Sequence, residues 1–103
     1  MSSLVEKYKI VFEKLLEVPK GRVTTYKELA KACDLNSSRL VGKVLHRNPD
    51  NKKYPCHRVL RSDRTLADGY AFGGEGIQKQ LLENEGVAFE GDKVRKEFLY
   101  YFI

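Results

Sequence analysis

Short apolar stretches at helical spacing, each closed by proline, glycine or a polar run, most constrain what this chain can fold into. The first stretch ends shortly before Pro19 and Gly21, which break a helix. Its apolar stripe is Leu4, Tyr8, Val11, Phe12, Leu15 and Leu16. Ser2 or Ser3 suits its N-cap. The chain has no run of 18 apolar residues and no signal-peptide pattern, so we expect short helices in a cytoplasmic protein, associated with the nucleoid if the source is a prokaryote.

Two short helices joined by a polar break predict a helix-turn-helix. Thr25 suits the N-cap of the first helix because Glu28 follows three residues later. A polar run over residues 34–38 separates this helix from the next one, which we expect over Ser38–Arg47. Asn48-Pro49 ends that second helix. The spacing is typical of a DNA-binding motif.

The rest of the chain predicts a small β component around one more helix. We expect a short strand or extended turn at Cys56–Leu60, followed by a loop or wing at 62–74 and a helix at about Glu75–Asn84. After the helix we expect a hairpin of 87–89 with 93–95, and then an aromatic tail from Phe98 that packs on the core. The helix is defined by Ile77, Leu81 and Leu82. The fold class is therefore mostly α with a small β component, as one domain over residues 1–103.

Positive charge is concentrated in the middle of the chain. Residues 20–61 hold eleven basic side chains against three acidic ones, although the formal net charge of the whole chain is only +5. A basic block of this kind is typical of a nucleic-acid surface, and a solvated basic face with no partner is the alternative. Arg39, Lys43 and Arg47 lie on the expected second helix of the helix-turn-helix, with Gly42 between them. Glycine there either lets a partner approach closely or makes room for another helix of the chain.

Cys56 is the residue most suited to chemistry. Two cysteines are too few for a disulfide scaffold, and with His46 and His57 they do not show zinc spacing, so we expect no structural zinc site. A cysteine attacks as the thiolate, which a neighbouring histidine and a carboxylate can favour. From the residues alone, a buried structural thiol explains Cys56 beside His57 better than a nucleophile does.

The context of Cys56 resembles a known active-site motif. Pro55-Cys56-His57-Arg58-Val59 is similar to the Pro-Cys-His-Arg-Val sequence of the O6-alkylguanine-DNA alkyltransferases, the methylated-DNA–protein-cysteine methyltransferases. Further similar segments occur in the family's order over about residues 4–90. They are Gly21–Tyr26 with Glu28–Ala30, Ser38–Gly42, Arg47–Pro49, Gly69–Ala71 with Gly73-Gly74, and Leu81–Gly86. The resemblance implies the winged helix-turn-helix-like domain that forms the C-terminal part of these proteins.

This resemblance implies roles for the matching residues. Cys56 would accept the alkyl group, His57 would act as its base through a water, and Glu85 would orient His57. Tyr26 would give a proton to the guanine, and Asn48 would hold the active-site turn. Arg39 would fill the space left by a flipped nucleotide, and Gly42 would allow the helix to approach the minor groove. The other residues implied to bind DNA are Thr25, Tyr26, Lys43 and Arg47, and those implied to line the substrate pocket are Val59, Tyr70, Ala71, Phe72, Gly73 and Gly74.

The implied function is DNA repair in a single turnover. A methyl or larger alkyl group would move from O6-alkylguanine in double-stranded DNA to Cys56 of a monomeric protein. Three departures from the family pattern are the absence of its usual N-terminal domain, Tyr54 in place of an aliphatic residue, and Phe72 inserted in the binding loop. The alternative is an alkyltransferase-like damage sensor, which binds the lesion without transfer and engages excision-repair proteins. Sensors typically lack the cysteine, so Cys56 favours transfer. A cysteine hydrolase is disfavoured because no oxyanion motif is recognisable.

Overall fold

The computed structural model describes residues 4–50, 52–66 and 74–102. Four helices account for most of the regular structure: α1 (Leu4–Leu15), α2 (Tyr26–Ala32), α3 (Ser38–His46) and α4 (Gly74–Asn84). The strands are β1 (Thr24–Thr25), β2 (Val59–Leu60), β3 (Phe89–Glu90) and β4 (Lys93–Val94), and 3₁₀ turns occupy Cys56–Arg58 and Lys96–Phe98. The predicted fold class is confirmed. None of the helices among these residues is long and apolar enough to cross a membrane.

Helices α1, α2 and α3 enclose the main core. Val11 and Leu15 of α1 are fully buried and pack with Leu29 of α2 and Val44 of α3. Leu16 was predicted to belong to the same stripe, but it is 49% exposed. The reason is that α1 ends at Leu15, so the chain no longer follows the helical period at the next residue.

The helix-turn-helix is confirmed together with its caps. The Thr25 hydroxyl accepts a hydrogen bond from the Glu28 amide at 3.1 Å, which begins α2. The Ser37 hydroxyl accepts one from the Leu40 amide at 3.2 Å, which begins α3. Between the helices Asp34 adopts a positive φ of 57°, a conformation that aspartate tolerates better than most residues. Helix α3 ends at His46, one residue earlier than predicted.

The predicted strand or turn at Cys56–Leu60 divides into two elements. Residues 56–58 form the 3₁₀ turn, and only Val59 and Leu60 form a strand. Strand β2 pairs in parallel with β1, with Thr24 opposite Val59. The chain has to turn between Pro55 and β2, which explains why a continuous strand does not form. Because β1 leads directly into α2, this pairing fixes the turn beside the start of the helix-turn-helix.

Helix α4 and the segments after it cover a second core. Leu82 is fully buried with Val23, Leu60, Val87 and Val94. The predicted helix is confirmed, but Ile77 is 41% exposed and Gln78 takes the buried position. The hairpin is confirmed as β3 antiparallel to β4, but its strands cover 89–90 and 93–94 instead of the predicted 87–89 and 93–95. The tail packs as predicted at Phe98, Leu99 and Phe102, whereas Tyr101 is exposed. The predicted N-caps Ser2 and Ser3 and most of the predicted wing lie outside the described residues.

Two adjacent threonines provide a test of the α2 cap. Thr25→Val removes the capping hydroxyl, so we expect the free energy of unfolding to fall by about 1 kcal/mol. Thr24 is fully buried, and its hydroxyl has no hydrogen-bond partner among the described residues. Thr24→Val should therefore leave stability unchanged or raise it by up to about 1 kcal/mol. Urea denaturation of the two variants measures the contrast, and an equal loss in both would contradict the assignment of the cap.

Candidate active site

Cys56 opens the 3₁₀ turn and is 5% exposed. Its backbone N–H donates to the Tyr54 carbonyl at 2.8 Å. The ring of Tyr54 packs against Phe12 of α1, with the ring centroids 4.9 Å apart. The large aromatic residue before Pro55 therefore anchors the turn on the main core. A 3₁₀ helix has three residues per turn, so Cys56 and His57 do not point to opposite faces as they would in a strand.

Asn48 supports the same turn from the end of α3. It is 7% exposed, and its side-chain nitrogen donates to the Tyr54 carbonyl at 2.8 Å. Its side-chain oxygen accepts from the Asp50 amide at 2.9 Å. The Tyr54 carbonyl thus receives hydrogen bonds from both Asn48 and Cys56. This geometry ties the end of α3 to the segment that carries the thiol.

His57, Arg58 and Glu85 form a nearly buried cluster. His57 Nε2 lies 2.9 Å from Glu85 Oε2. Arg58 donates from Nε to Oε1 at 2.9 Å and from Nη2 to Oε2 at 2.7 Å. Arg58 Nη1 also donates to the Val18 carbonyl at 2.9 Å, which connects the cluster to the end of α1. Gly21 approaches closely as well, since a Cβ there would lie 3.2 Å from the Glu85 carbonyl oxygen, and its φ of +86° favours glycine.

The electrostatics of this cluster keep Glu85 charged and His57 neutral. Burial by itself would raise the pKa of Glu85, but the hydrogen bonds from Arg58 and His57 outweigh it and hold that pKa below its usual range. Burial also lowers the pKa of His57 and exceeds the opposing effect of Glu85, while the charge of Arg58 lowers it further. A neutral histidine facing a carboxylate carries its proton on Nε2, which leaves Nδ1 as a proton acceptor.

Tyr26 begins α2 and packs against the main core, which includes Cys56. Burial raises the pKa of its hydroxyl to about 12, and the charge of Cys56 raises it as well. The hydroxyl stays protonated at neutral pH and is available as a donor. The structure therefore brings together Tyr26, Asn48, Cys56, His57 and Glu85, the five predicted catalytic residues.

The residues predicted to contact DNA occupy two different environments. Arg39, Lys43 and Arg47 are exposed along α3 and at its C-cap. Thr25, by contrast, is buried and caps α2. At Gly42 a Cβ would meet the Tyr26 ring at 3.9 Å, an ordinary contact. Internal packing therefore does not require glycine at this position, which weakens the explanation that it makes room for another helix.

The predicted substrate pocket is only partly described. Val59 is fully buried in the main core, and Gly74 is the first residue of α4. Tyr70, Ala71, Phe72 and Gly73 lie outside the described residues. Among the residues that are described, no group of three or more histidine, cysteine or acidic side chains could hold a metal ion.

Sequence reasoning missed two residues of the site. Arg58 was part of the motif but received no role, although it holds Glu85 through both carboxylate oxygens. Gln78 was not considered, yet it is fully buried and donates from Nε2 to the carbonyls of His57 and Val59, each at 3.1 Å. The available signal was its spacing, because it precedes Leu82 by four residues and therefore shares the inner face of α4.

Comparison with known proteins identifies the family. Residues 6–87 match the DNA-binding domain of 6-O-methylguanine DNA methyltransferase. The chain belongs to this family. A methylated-DNA–protein-cysteine methyltransferase of Pyrobaculum aerophilum is 47% identical over 79 residues, which cover 77% of this chain and 51% of the relative. The counterpart in Methanothermobacter thermautotrophicus is 43% identical over 81 residues, covering 79% of this chain and 44% of the relative. The chain thus spans about half the length of these relatives.

Another relative matches over most of its length. Alkyltransferase-like protein 1 of Schizosaccharomyces pombe is 38% identical over 84 residues, covering 80% of this chain and 77% of the relative. The structure of S. pombe Atl1 in complex with damaged DNA containing O6-carboxymethylguanine superposes with a TM-score of 0.82 at 29% identity, covering 97% of this chain and 98% of Atl1. The structure of the O6-methylguanine-DNA methyltransferase of Pyrococcus kodakaraensis superposes with a TM-score of 0.69 at 43% identity, covering 78% of this chain and 46% of that protein.

The Glu85 cluster makes a prediction about pH and stability. A carboxyl whose pKa is lowered in the folded state stabilises the protein above its unfolded pKa, and this contribution is lost as the pH falls through the folded pKa. At pH 7 we expect Glu85→Gln to lower the free energy of unfolding by about 2 kcal/mol. The difference from the unmodified protein should shrink below about pH 4. Denaturation across a pH series measures it, and a difference that does not change with pH would contradict the charge-based explanation.

Proposed function

We propose that this protein repairs DNA by moving an alkyl group from O6 of guanine to the sulfur of Cys56. The observation that carries the proposal is the His57–Glu85 contact of 2.9 Å, made by the residue that follows Cys56 in the 3₁₀ turn. In the reaction a bond forms between the sulfur and the alkyl carbon, and the bond between that carbon and O6 of guanine breaks. The thiol proton leaves through His57, and the guanine gains a proton, so the products are unmodified guanine and a thioether. A thioether is not readily cleaved, so each molecule acts once. The alkyl group moves directly to the sulfur, so the reaction needs no cofactor.

His57 acts as the base in this proposal. Its Nε2 hydrogen is directed at Glu85, so Nδ1 can take the thiol proton through a bridging water. The lowered pKa of His57 keeps the ring neutral and therefore ready to accept a proton near pH 7. Glu85 then stabilises the positive charge that develops on the ring.

Tyr26 supplies the other proton. Its hydroxyl remains protonated because burial raises its pKa to about 12. Donation to the guanine ring improves the leaving group as the C–O6 bond breaks. Asn48 keeps the turn in position through the Tyr54 carbonyl, so that the sulfur lies in line with the alkyl carbon.

The DNA surface in this proposal is α3. An O6-alkyl group inside a duplex is out of reach, so the nucleotide has to be flipped out. Arg39 enters the stack in its place, and Gly42 lets α3 approach the minor groove. The exposed Lys43 and Arg47 bind phosphates, and Thr25 helps as the cap that orients the start of α2. The complex of Atl1 with damaged DNA supports binding of alkylated DNA by this chain because the two folds are similar.

A damage sensor is the second candidate. The observation that favours it is that Atl1 and this chain match over nearly their whole lengths, 98% and 97%. A sensor would hold the alkylated guanine without reaction and present it to excision-repair proteins. Cys56 and its ordered base favour transfer instead. In either case we propose a monomer that acts in the cytoplasm or nucleoid, with the loop at Tyr70–Gly74 lining the guanine pocket.

Mass spectrometry of the intact protein separates the two functions. After incubation with duplex DNA that contains O6-methylguanine, we expect one added methyl group per molecule, mapped to Cys56. Cys56→Ser should show none. Cys33→Ala is the matched control, because Cys33 is the second of the two cysteines of the chain and burial raises its pKa to about 11, which keeps it protonated. Tight DNA binding with an unchanged protein mass would contradict transfer and support the sensor.

A second experiment tests the flipping role of Arg39. Arg39→Ala should slow transfer from duplex DNA by roughly ten- to a hundred-fold, because compensation for lost stacking is worth about 1–3 kcal/mol. Transfer from the free O6-alkylguanine base should be unchanged. Lys9→Ala is the matched control, since it removes one exposed positive charge from α1. Single-turnover rates on both substrates measure the effect, and equal losses on both would contradict the role.

A further inference from the structure

Gln78 of α4 holds the 3₁₀ turn at Cys56–Arg58, in addition to the contacts that Glu85 makes just after the helix. Its side chain is fully buried, and the one amide nitrogen donates to the carbonyl of His57 and to that of Val59, both at 3.1 Å. These two carbonyls flank Arg58. Gln78 therefore spans the point at which the 3₁₀ turn changes into β2.

Gln78 and Glu85 are seven residues apart, which is about two turns of helix. Gln78 in α4 and Glu85 directly after its last residue therefore face the turn from the same side. Gln78 holds the backbone of His57 and Glu85 holds its ring. Two attachments from one rigid helix fix where the backbone of His57 lies and where its ring points.

We propose that Gln78 is a positioning residue that sets the distance and direction of the His57 ring relative to the sulfur of Cys56. This inference rests on the proposed function only for the identity of the group that the Cys56 thiol attacks. A base works when it lies within hydrogen-bond reach of the proton, directly or through one water, so a small displacement of the turn reduces the rate. Without Gln78, Glu85 still contacts the ring, but the His57 carbonyl loses its hydrogen bond from α4.

Gln78→Met tests this role because methionine keeps the length of the side chain and removes both N–H donors. We expect the single-turnover rate of alkyl transfer to fall about ten-fold, with the Kd for DNA that contains O6-methylguanine unchanged. We also expect the midpoint of the pH–rate profile for Cys56 to move to higher pH. Among the described residues, the charged and titratable groups around His57 are Glu85, Arg58 and Cys56, with Tyr26 packed against the same core as Cys56, and none of these side chains is replaced in the variant.

Leu82→Ala is the matched control. Leu82 is fully buried one turn further along the same face of α4, so this variant loses packing without touching His57. It should lower thermal stability and leave the pH–rate profile unchanged. If Leu82→Ala moves the profile as far as Gln78→Met, or if Gln78→Met moves neither the rate nor the profile, the positioning role is wrong.

Iodoacetamide separates failure of this inference from failure of the proposed function. The reagent contains no guanine, so its reaction with Cys56, followed by peptide mapping, reports on the thiol whether or not the protein transfers alkyl groups. A Gln78→Met variant that reacts more slowly, in a protein that never accepts a methyl group, supports the positioning role and contradicts transfer. Normal reaction of the variant in a protein that does accept the methyl group contradicts the positioning role alone.

Discussion

The carboxylate of Glu85 receives hydrogen bonds from two consecutive residues, His57 and Arg58, and the rest of the site depends on this arrangement. A buried carboxylate is costly unless charged partners and hydrogen bonds compensate for the lost water. Arg58 supplies that compensation, so His57 can stay neutral while still being oriented by a negative charge. The ion pair of Arg58 with Glu85 thus keeps the carboxylate ionised while His57 remains neutral.

The same cluster connects parts of the chain that are distant in sequence. Arg58 also reaches the Val18 carbonyl after α1, and Gly21 packs closely on the backbone of Glu85. The two-residue pairing of β1 with β2 adds the start of α2, which carries Tyr26. Strands this short contribute few hydrogen bonds of their own, so the polar cluster and the two cores fix the relative positions of Tyr26, His57 and Cys56.

Sequence reasoning could predict those features that depend on local patterns. The cap at Thr25, the break at residues 34–37 and the short helices follow from residue preferences within a few positions. The motif around Cys56 also pointed to His57 and Glu85 through resemblance to a family. The 3₁₀ turn, the bidentate contact of Arg58 and the burial of Gln78 could not be predicted, because each depends on which element packs against the turn. The exposed Ile77 illustrates the same limit, since periodicity defined the helix but placed its inner face one residue away from the observed one.

Binding and chemistry make different demands on such a site. A protein that only holds an alkylated guanine needs a basic surface, a pocket and a means of flipping the base. Recognition alone does not require a proton acceptor next to a thiol. In this chain Arg58, Glu85 and Gln78 all serve to hold His57 and its turn in place. Buried polar groups that require this many partners are costly to maintain, and their convergence next to Cys56 is the basis on which we propose a reaction at sulfur.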